Sequence, residues 1–213
     1  MEEAIRAHRV HFASRKFVIS VLVGVFLVLL ALVVNYFAGT YATEKASSSV
    51  TDIILSNTKA YDVDELFVYG TWLFYLITVS IGIYRPERLP FALKASALLV
   101  FIRSIFITLT HIGPFPTHTI VSPLSWINYF TFGGDLFFSA HTAIPFLFAL
   151  MCWQNKPFRI FFLAASGFFA AVVLLGHLHY SIDVLAAFFI TYTVFNMAKY
   201  FWKDDWQLFQ KGI

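Results

Sequence analysis

Three residues in this chain have side chains suited to proton transfer or nucleophilic attack: His141, His179 and Asp183. His179 and Asp183 are four residues apart in HYSID, so on a helix they share a face, and the carboxylate can accept a hydrogen bond from one ring nitrogen. That bond fixes the tautomer and aims the other nitrogen, making His179 either a nucleophile or a general base. His141, with an ordinary imidazole value near 6.5, suits the complementary acid. Two other chemistries fit less well. His177, His179 and Asp183 form H-x-H-x-x-x-D, which with His141 could ligate a metal, but no dense His/Cys box accompanies them. Ser139 lies beside His141, yet adjacency in sequence does not create the geometry of a serine nucleophile and its base.

The elements that must position these residues are membrane helices. The chain has 213 residues, 59% of them hydrophobic and only 13% charged, against roughly one-quarter charged in a soluble domain. A spanning helix needs about 20 largely apolar residues, because every backbone polar group must be satisfied within the segment. Six stretches qualify, near Phe17–Phe37, Leu66–Tyr84, Phe91–Leu109, Leu136–Trp153, Ile160–Gly176 and Ile182–Trp202. The expected fold is therefore an all-α integral membrane bundle of six transmembrane helices, one domain over residues 1–213. The first apolar run exceeds the roughly 7–15 residues of a signal-peptide core and lacks a clean cleavage site, so it is read as a retained helix.

Basic residues orient the bundle, because short cytoplasmic loops collect Lys and Arg. With the N-terminus inside, Arg6, Arg9, Arg15, Lys16, Arg85, Arg88, Lys94, Lys156, Arg159, Lys199, Lys203 and Lys211 fall on the cytoplasmic side, and only Lys45 and Lys59 fall outside. Both termini are then cytoplasmic. The net charge of +3 reflects this asymmetry and does not point to nucleic acid. His141, about six residues into the fourth span, would lie roughly 9 Å from its outer end. His179 and Asp183 stand at the outer start of the sixth, so two distant segments deliver the trio to one face. Ionisable residues at membrane depth are costly, which marks all three, and Arg103 in the third span, as functional candidates.

Two outer connections are long. Residues 38–65 contain SVTD from Ser49, the form of a capping box, which predicts a short interfacial helix through Ile53, Ile54 and Leu55. Residues 110–135 are rich in Pro, Gly and aromatics; Trp126, Tyr129, Phe130 and Phe132 suit an aromatic belt at headgroup level, and His111 at the start of this connection is a candidate supporting residue. Cys152 is the single cysteine, so no intramolecular disulfide forms, and it reads as a packing residue.

GGDLFFSAHT at 133–142 and HYSIDV at 179–184 resemble the two catalytic motifs of the sphingomyelin synthase family, within the broader type-2 phosphatidic-acid phosphatase-like superfamily. IRSIFITLT (102–110), with the Pro-containing turn after it, and TDIIL with YDVDE (51–65) are similar to further family segments, so the resemblance covers most of the chain from Thr51 onward. It implies transfer of phosphocholine or phosphoethanolamine from a glycerophospholipid donor to a lipid alcohol acceptor, ceramide or diacylglycerol, through a phosphohistidine. His179 would attack phosphorus, Asp183 would orient it, and His141 would protonate the leaving diacylglycerol oxygen and later deprotonate the acceptor. Asp135 would help position His141, and Arg103 would either grip the phosphate or pair with an acidic residue or loop carbonyls. No metal or other cofactor is expected. The resemblance also suggests a minimal bacterial version in the inner membrane with a periplasm-facing site, the alternative being a Golgi, ER or plasma membrane with the site facing lumen or exterior.

The departures bear on substrate. The broader superfamily usually carries a Lys-and-Arg motif before its first catalytic His and an Arg six residues before the second, where this chain has Val173. A phosphomonoester carries close to two negative charges and a diester one, so a cation-poor site favours a diester. Ala140 stands where many relatives have Gly, and Ser49 and Thr51 where animal synthases tend to have prolines. Hydrolysis by the same His-His-Asp site, in the manner of a phospholipase C or lipid phosphate phosphatase, is the alternative activity. A non-enzymatic lipid transporter or scaffold would have no use for three convergent acid–base residues.

Overall fold

The structure is a computed structural model describing residues 2–119 and 133–211; the expected aromatic belt of Trp126, Tyr129, Phe130 and Phe132 lies outside the described residues. Among those residues the secondary structure is entirely helical: α1 (Glu2–Phe12), α2 (Arg15–Glu44), α3 (Asp64–Tyr84), α4 (Leu89–Leu109), α5 (Ala140–Met151), α6 (Lys156–Leu175), α7 (Ser181–Phe201) and α8 (Lys203–Lys211), with 3-10 turns at Leu55–Asn57 and Pro86–Arg88. Local signals set several boundaries. Asn155 caps α6 by accepting from the Phe158 amide at 3.2 Å, with Pro157 in the first turn, where a missing N–H is harmless. Asp64 and Glu65 place negative charge at the positive end of α3.

Five helices, α2, α3, α4, α6 and α7, are long and apolar enough to cross a membrane. α2 packs along α4 through a stripe of small buried residues, Gly24, Ala31, Ala38 and Ala42, while Leu22, Phe26, Leu29, Val33 and Phe37 stay exposed. Small residues let two backbones approach closely where hydrocarbon gives no hydrophobic drive for association. α5 is packed among α4, α6 and α7 over an aromatic core that includes Phe91, Phe138, Phe162, Phe169 and Phe195. Cys152 is buried in this core, as expected of a packing residue.

The fourth expected span differs from its reading. α5 has 12 residues, roughly 18 Å of helix, too short to cross about 30 Å of hydrocarbon, and the chain before it, residues 133–139, is not helical. Irregular backbone at membrane depth is tolerated where it is buried in protein and its polar groups are met. Both conditions hold: Leu136, Phe138 and Ser139 are buried, and the carbonyls of Asp135 and Phe138 accept from Arg103. The expected helix after Ser49 is likewise replaced. No helix starts at Ser49; instead Asp52 closes a turn on the amides of Ile54 and Leu55 at 2.8 and 3.1 Å before the short 3-10 turn.

The two ends of the bundle are built differently. At one, Lys94 donates to Asp205 at 2.6 Å and to Ser20 at 2.7 Å, Lys16 pairs with Asp204 at 2.8 Å, and Phe209 of α8 is buried beside Phe91. At the other, the connections after α2 and α4 are knitted together, the Ser47 amide donating to the His111 carbonyl and the Gly113 amide to that of Ser48. Gly113 is required there, since a Cβ would collide with the Ser47 carbonyl oxygen.

Candidate active site

His179 and Asp183 meet at the start of α7, where His179 Nδ1 lies 3.4 Å from Asp183 Oδ2. The same oxygen accepts from the Tyr180 amide at 2.9 Å, so Asp183 closes the first turn of its own helix while facing the histidine. Asp183 is fully buried and the His179 side chain is 11% exposed: the acid is enclosed and the base reachable. The backbone of α5 is fastened to this turn, because the Ser139 amide donates to the Asp183 carbonyl at 3.3 Å.

His141 is the second residue of α5, in its first turn and not six residues into a continuous span. The irregular approach moves the helix start, and with it the positive end of the helix, up to the histidine. Its ring packs 4.3 Å from that of Phe67 on α3 and 6.0 Å from that of Phe169 on α6. The bond from the Ser139 amide to the Asp183 carbonyl sets the first turn of α5, and His141 with it, against the start of α7 where His179 and Asp183 meet, at the end of the bundle opposite α8.

Arg103 makes four hydrogen bonds to the chain itself. Nε donates to the Phe138 carbonyl at 2.9 Å, Nη1 to Asn35 Oδ1 at 3.1 Å, and Nη2 to both the carbonyl and the carboxylate of Asp135, the latter at 2.9 Å. The guanidinium therefore holds the approach to His141 and pairs with Asp135, the second of the two roles considered for it. Asp135 acts in the same construction, balancing the buried charge. Gly134 is needed beside it: a Cβ would stand 2.6 Å from Thr43 Cα, and the Gly134 amide donates to Thr43 Oγ1 at 3.2 Å.

His111 is not drawn to the trio by any contact described. Its Nε2 lies 3.1 Å from the Thr108 carbonyl, its ring packs edge-on to Tyr41, and its carbonyl accepts from Ser47. His177 turns away from His179 in a left-handed conformation, φ 51°. Its two ring nitrogens face Thr117 Oγ1 at 2.6 Å and Thr58 Oγ1 at 3.3 Å, joining the two long connections. Burial pushes the His177 imidazole below its ordinary value, with the Asp52 carboxylate working against that shift. A neutral ring held by two hydroxyls fits a structural role better than membership of a metal site with His179.

Three positions at this end were not singled out as site residues by sequence reasoning. Asn35 accepts from Arg103; its signal was an amide inside an otherwise apolar span. Tyr180 donates to the Gly113 carbonyl at 2.8 Å and accepts from the Val50 amide at 3.2 Å, tying both long connections to HYSID. Asp52 is buried and accepts from the Ser181 amide at 2.7 Å and hydroxyl at 2.8 Å. Burial would raise its carboxyl, but the amides of Leu55 and Ser181, the Ser181 hydroxyl and the Ile54 amide outweigh that and hold it below the usual carboxylate range.

The family model described as the PAP2 superfamily C-terminal domain matches residues 133–200, the stretch containing His141, His179 and Asp183. No curated protein and no solved structure gives a match. The match covers 68 of the 213 residues and is a likeness of that stretch to the PAP2 superfamily C-terminal domain, a superfamily whose members are typically phosphatases and phosphotransferases.

Proposed function

We propose that the protein is a membrane-embedded headgroup transferase that moves phosphocholine or phosphoethanolamine from a glycerophospholipid to ceramide or a related lipid alcohol through a phosphohistidine. The observation that carries this reading is the buried Asp183 carboxylate facing His179 Nδ1, with the first turn of α5, which holds His141, bonded to the same turn through Ser139. With Nδ1 directed at the carboxylate, Nε2 of His179 is the nitrogen left to attack phosphorus. The N–P bond forms as the bond from phosphorus to the diacylglycerol oxygen breaks, and His141 gives that oxygen its proton. In the second half the acceptor hydroxyl attacks phosphorus, its proton passes to His141, and the N–P bond breaks.

Charge supports a diester donor. Arg103, whose guanidinium holds the approach to His141, is paired with Asp135 and bonded to two carbonyls, so its charge is largely balanced within the protein. Such a site suits one negative charge better than two. The position of His141 in the first turn of α5 adds a helix dipole of favourable sign. The site would face the periplasm or lumen, as the basic residues at the opposite end of the bundle imply.

The test is incubation of purified protein with headgroup-labelled phosphatidylcholine or phosphatidylethanolamine, with and without ceramide or diacylglycerol. Transfer predicts label in the acceptor lipid and little soluble product. Soluble phosphocholine or phosphoethanolamine released equally with and without acceptor would replace this reading with hydrolysis by the same residues.

A further inference from the structure

We infer that Asp52 is a positioning residue that aims the His179–Asp183 pair from outside the matched family segment, an inference that rests on the phosphohistidine reading above. α7 begins at Ser181, whose amide is among the first four of the helix and so has no partner within it. Asp52 supplies that partner from a connection 129 residues away in sequence, one carboxylate oxygen taking both the amide and the hydroxyl of Ser181. The other oxygen takes the amides of Ile54 and Leu55, so the carboxylate is itself fixed. A buried anion at the positive end of a 21-residue helix is also placed with favourable sign.

The consequence falls on Asp183. The first turn of α7 presents amides that compete for any nearby carboxylate. Asp52 occupies the Ser181 amide, and Asp183 binds the Tyr180 amide through Oδ2, the oxygen that faces His179 Nδ1. Two carboxylates thus divide the work at one helix start. Without Asp52, the Ser181 amide is open to Asp183, and a small rotation of that carboxylate toward it would lengthen an approach to His179 that is already 3.4 Å. Tyr180 fixes the same turn from its other side through Val50 and Gly113, so the turn persists when Asp52 is altered and the defect is one of aim.

Asp52→Asn keeps the shape of the side chain but cannot accept from both pairs of donors, because one oxygen has become a donor amide. Phosphoenzyme formation is followed in the detergent-purified full-length protein by rapid quench with 32P-labelled p-nitrophenyl phosphocholine and no acceptor lipid. The amplitude counts active molecules and the rate constant reports the chemistry of each. Expected for Asp52→Asn is a rate constant lower by about 10- to 100-fold, by analogy with the loss of an outer partner that orients a metal-bound histidine, with amplitude and donor KM held. In an Asp183→Asn background the same change should produce little further loss, since residues acting through one unit do not multiply their effects. A lower amplitude with an unchanged rate constant would mean that Asp52 only supports the fold, and full multiplication of the two losses would mean that it does not act through Asp183; either result overturns the inference. Absence of any phosphoenzyme in the parent would bring down the phosphohistidine reading, and this inference with it.

Discussion

At the scale of single residues, the division of labour among the trio is separable because attack and leaving-group protonation are distinct events in a double displacement. His179→Ala removes the attacking nitrogen, so no covalent phosphoenzyme should form. Asp183→Asn leaves a nucleophile whose tautomer is poorly held and should be severely slowed. His141→Ala removes the acid, a loss of about 10²–10⁴-fold on a lipid donor. A nitrophenyl phosphodiester scarcely needs protonation on departure, so first-step turnover should recover preferentially in His141→Ala. Pre-steady-state nitrophenol release from the three variants decides it; rescue of His179→Ala without rescue of His141→Ala would reverse the two assignments. The same scale holds a pH prediction. The Asp52 carboxyl sits below its ordinary value of 3.8, so its contribution to stability is complete above that value and fades as pH falls through the lower folded value. The difference in thermal midpoint between the parent and Asp52→Asn should therefore be largest around pH 6 and shrink below about pH 4. A difference that stays constant through that acid range would show that the charge is not what stabilises the turn.

At the scale of elements, the short α5 and its irregular approach explain why part of the site was legible in sequence and part was not. The spacing of His179 and Asp183 marked the pair, but not by the shared helix face expected: His179 precedes the helix, and Asp183 reaches it by folding back over the first turn to the Tyr180 amide. The trio's convergence followed from the direction of the helices. The helix start at Ala140 was hidden, because hydropathy does not distinguish a buried irregular segment such as Leu136–Ser139 from a helix of the same composition. What makes the irregular segment tolerable is Arg103, more than thirty positions earlier, together with Asn35 on α2, and such long-range satisfaction leaves no local pattern. Asp52 was hidden for the same reason: its turn resembled a helix cap, while its second set of partners belongs to α7. This account makes Arg103 a support whose loss leaves two carbonyls and the Asp135 carboxylate buried without it. Breaking such a buried pair costs about 3–5 kcal/mol, so Arg103→Ala should lose monodispersity on mild heating in detergent. Asp135→Asn, which keeps the carbonyl contacts, should be milder. If Arg103→Ala matched the parent's thermal midpoint, the guanidinium would not be what holds the approach to His141.

At the scale of the whole molecule, the two ends of the bundle carry opposite chemistry. One gathers Lys16, Lys94 and Arg88 with α1 and α8, and the other gathers His141, His179, Asp183 and Asp52 under two connections knitted through Ser47, Gly113 and Tyr180. If Lys and Arg are retained on the cytoplasmic side, as proposed, the first end is cytoplasmic and the second faces the opposite compartment. On that proposal the lipid substrates would be met in the leaflet away from the cytoplasm. Single cysteines test the assignment against a silent background, since Cys152 is buried in the core. His118 is exposed at the site end and Arg9 is exposed at the basic end. In intact cells or right-side-out vesicles, His118→Cys should react with a membrane-impermeant maleimide, and Arg9→Cys only after permeabilisation. The reverse pattern would invert the topology and move the active site to the cytoplasmic leaflet. Reaction of both without permeabilisation in sealed vesicles would mean that the bundle inserts in two orientations, and the charge asymmetry would then be too weak to fix it.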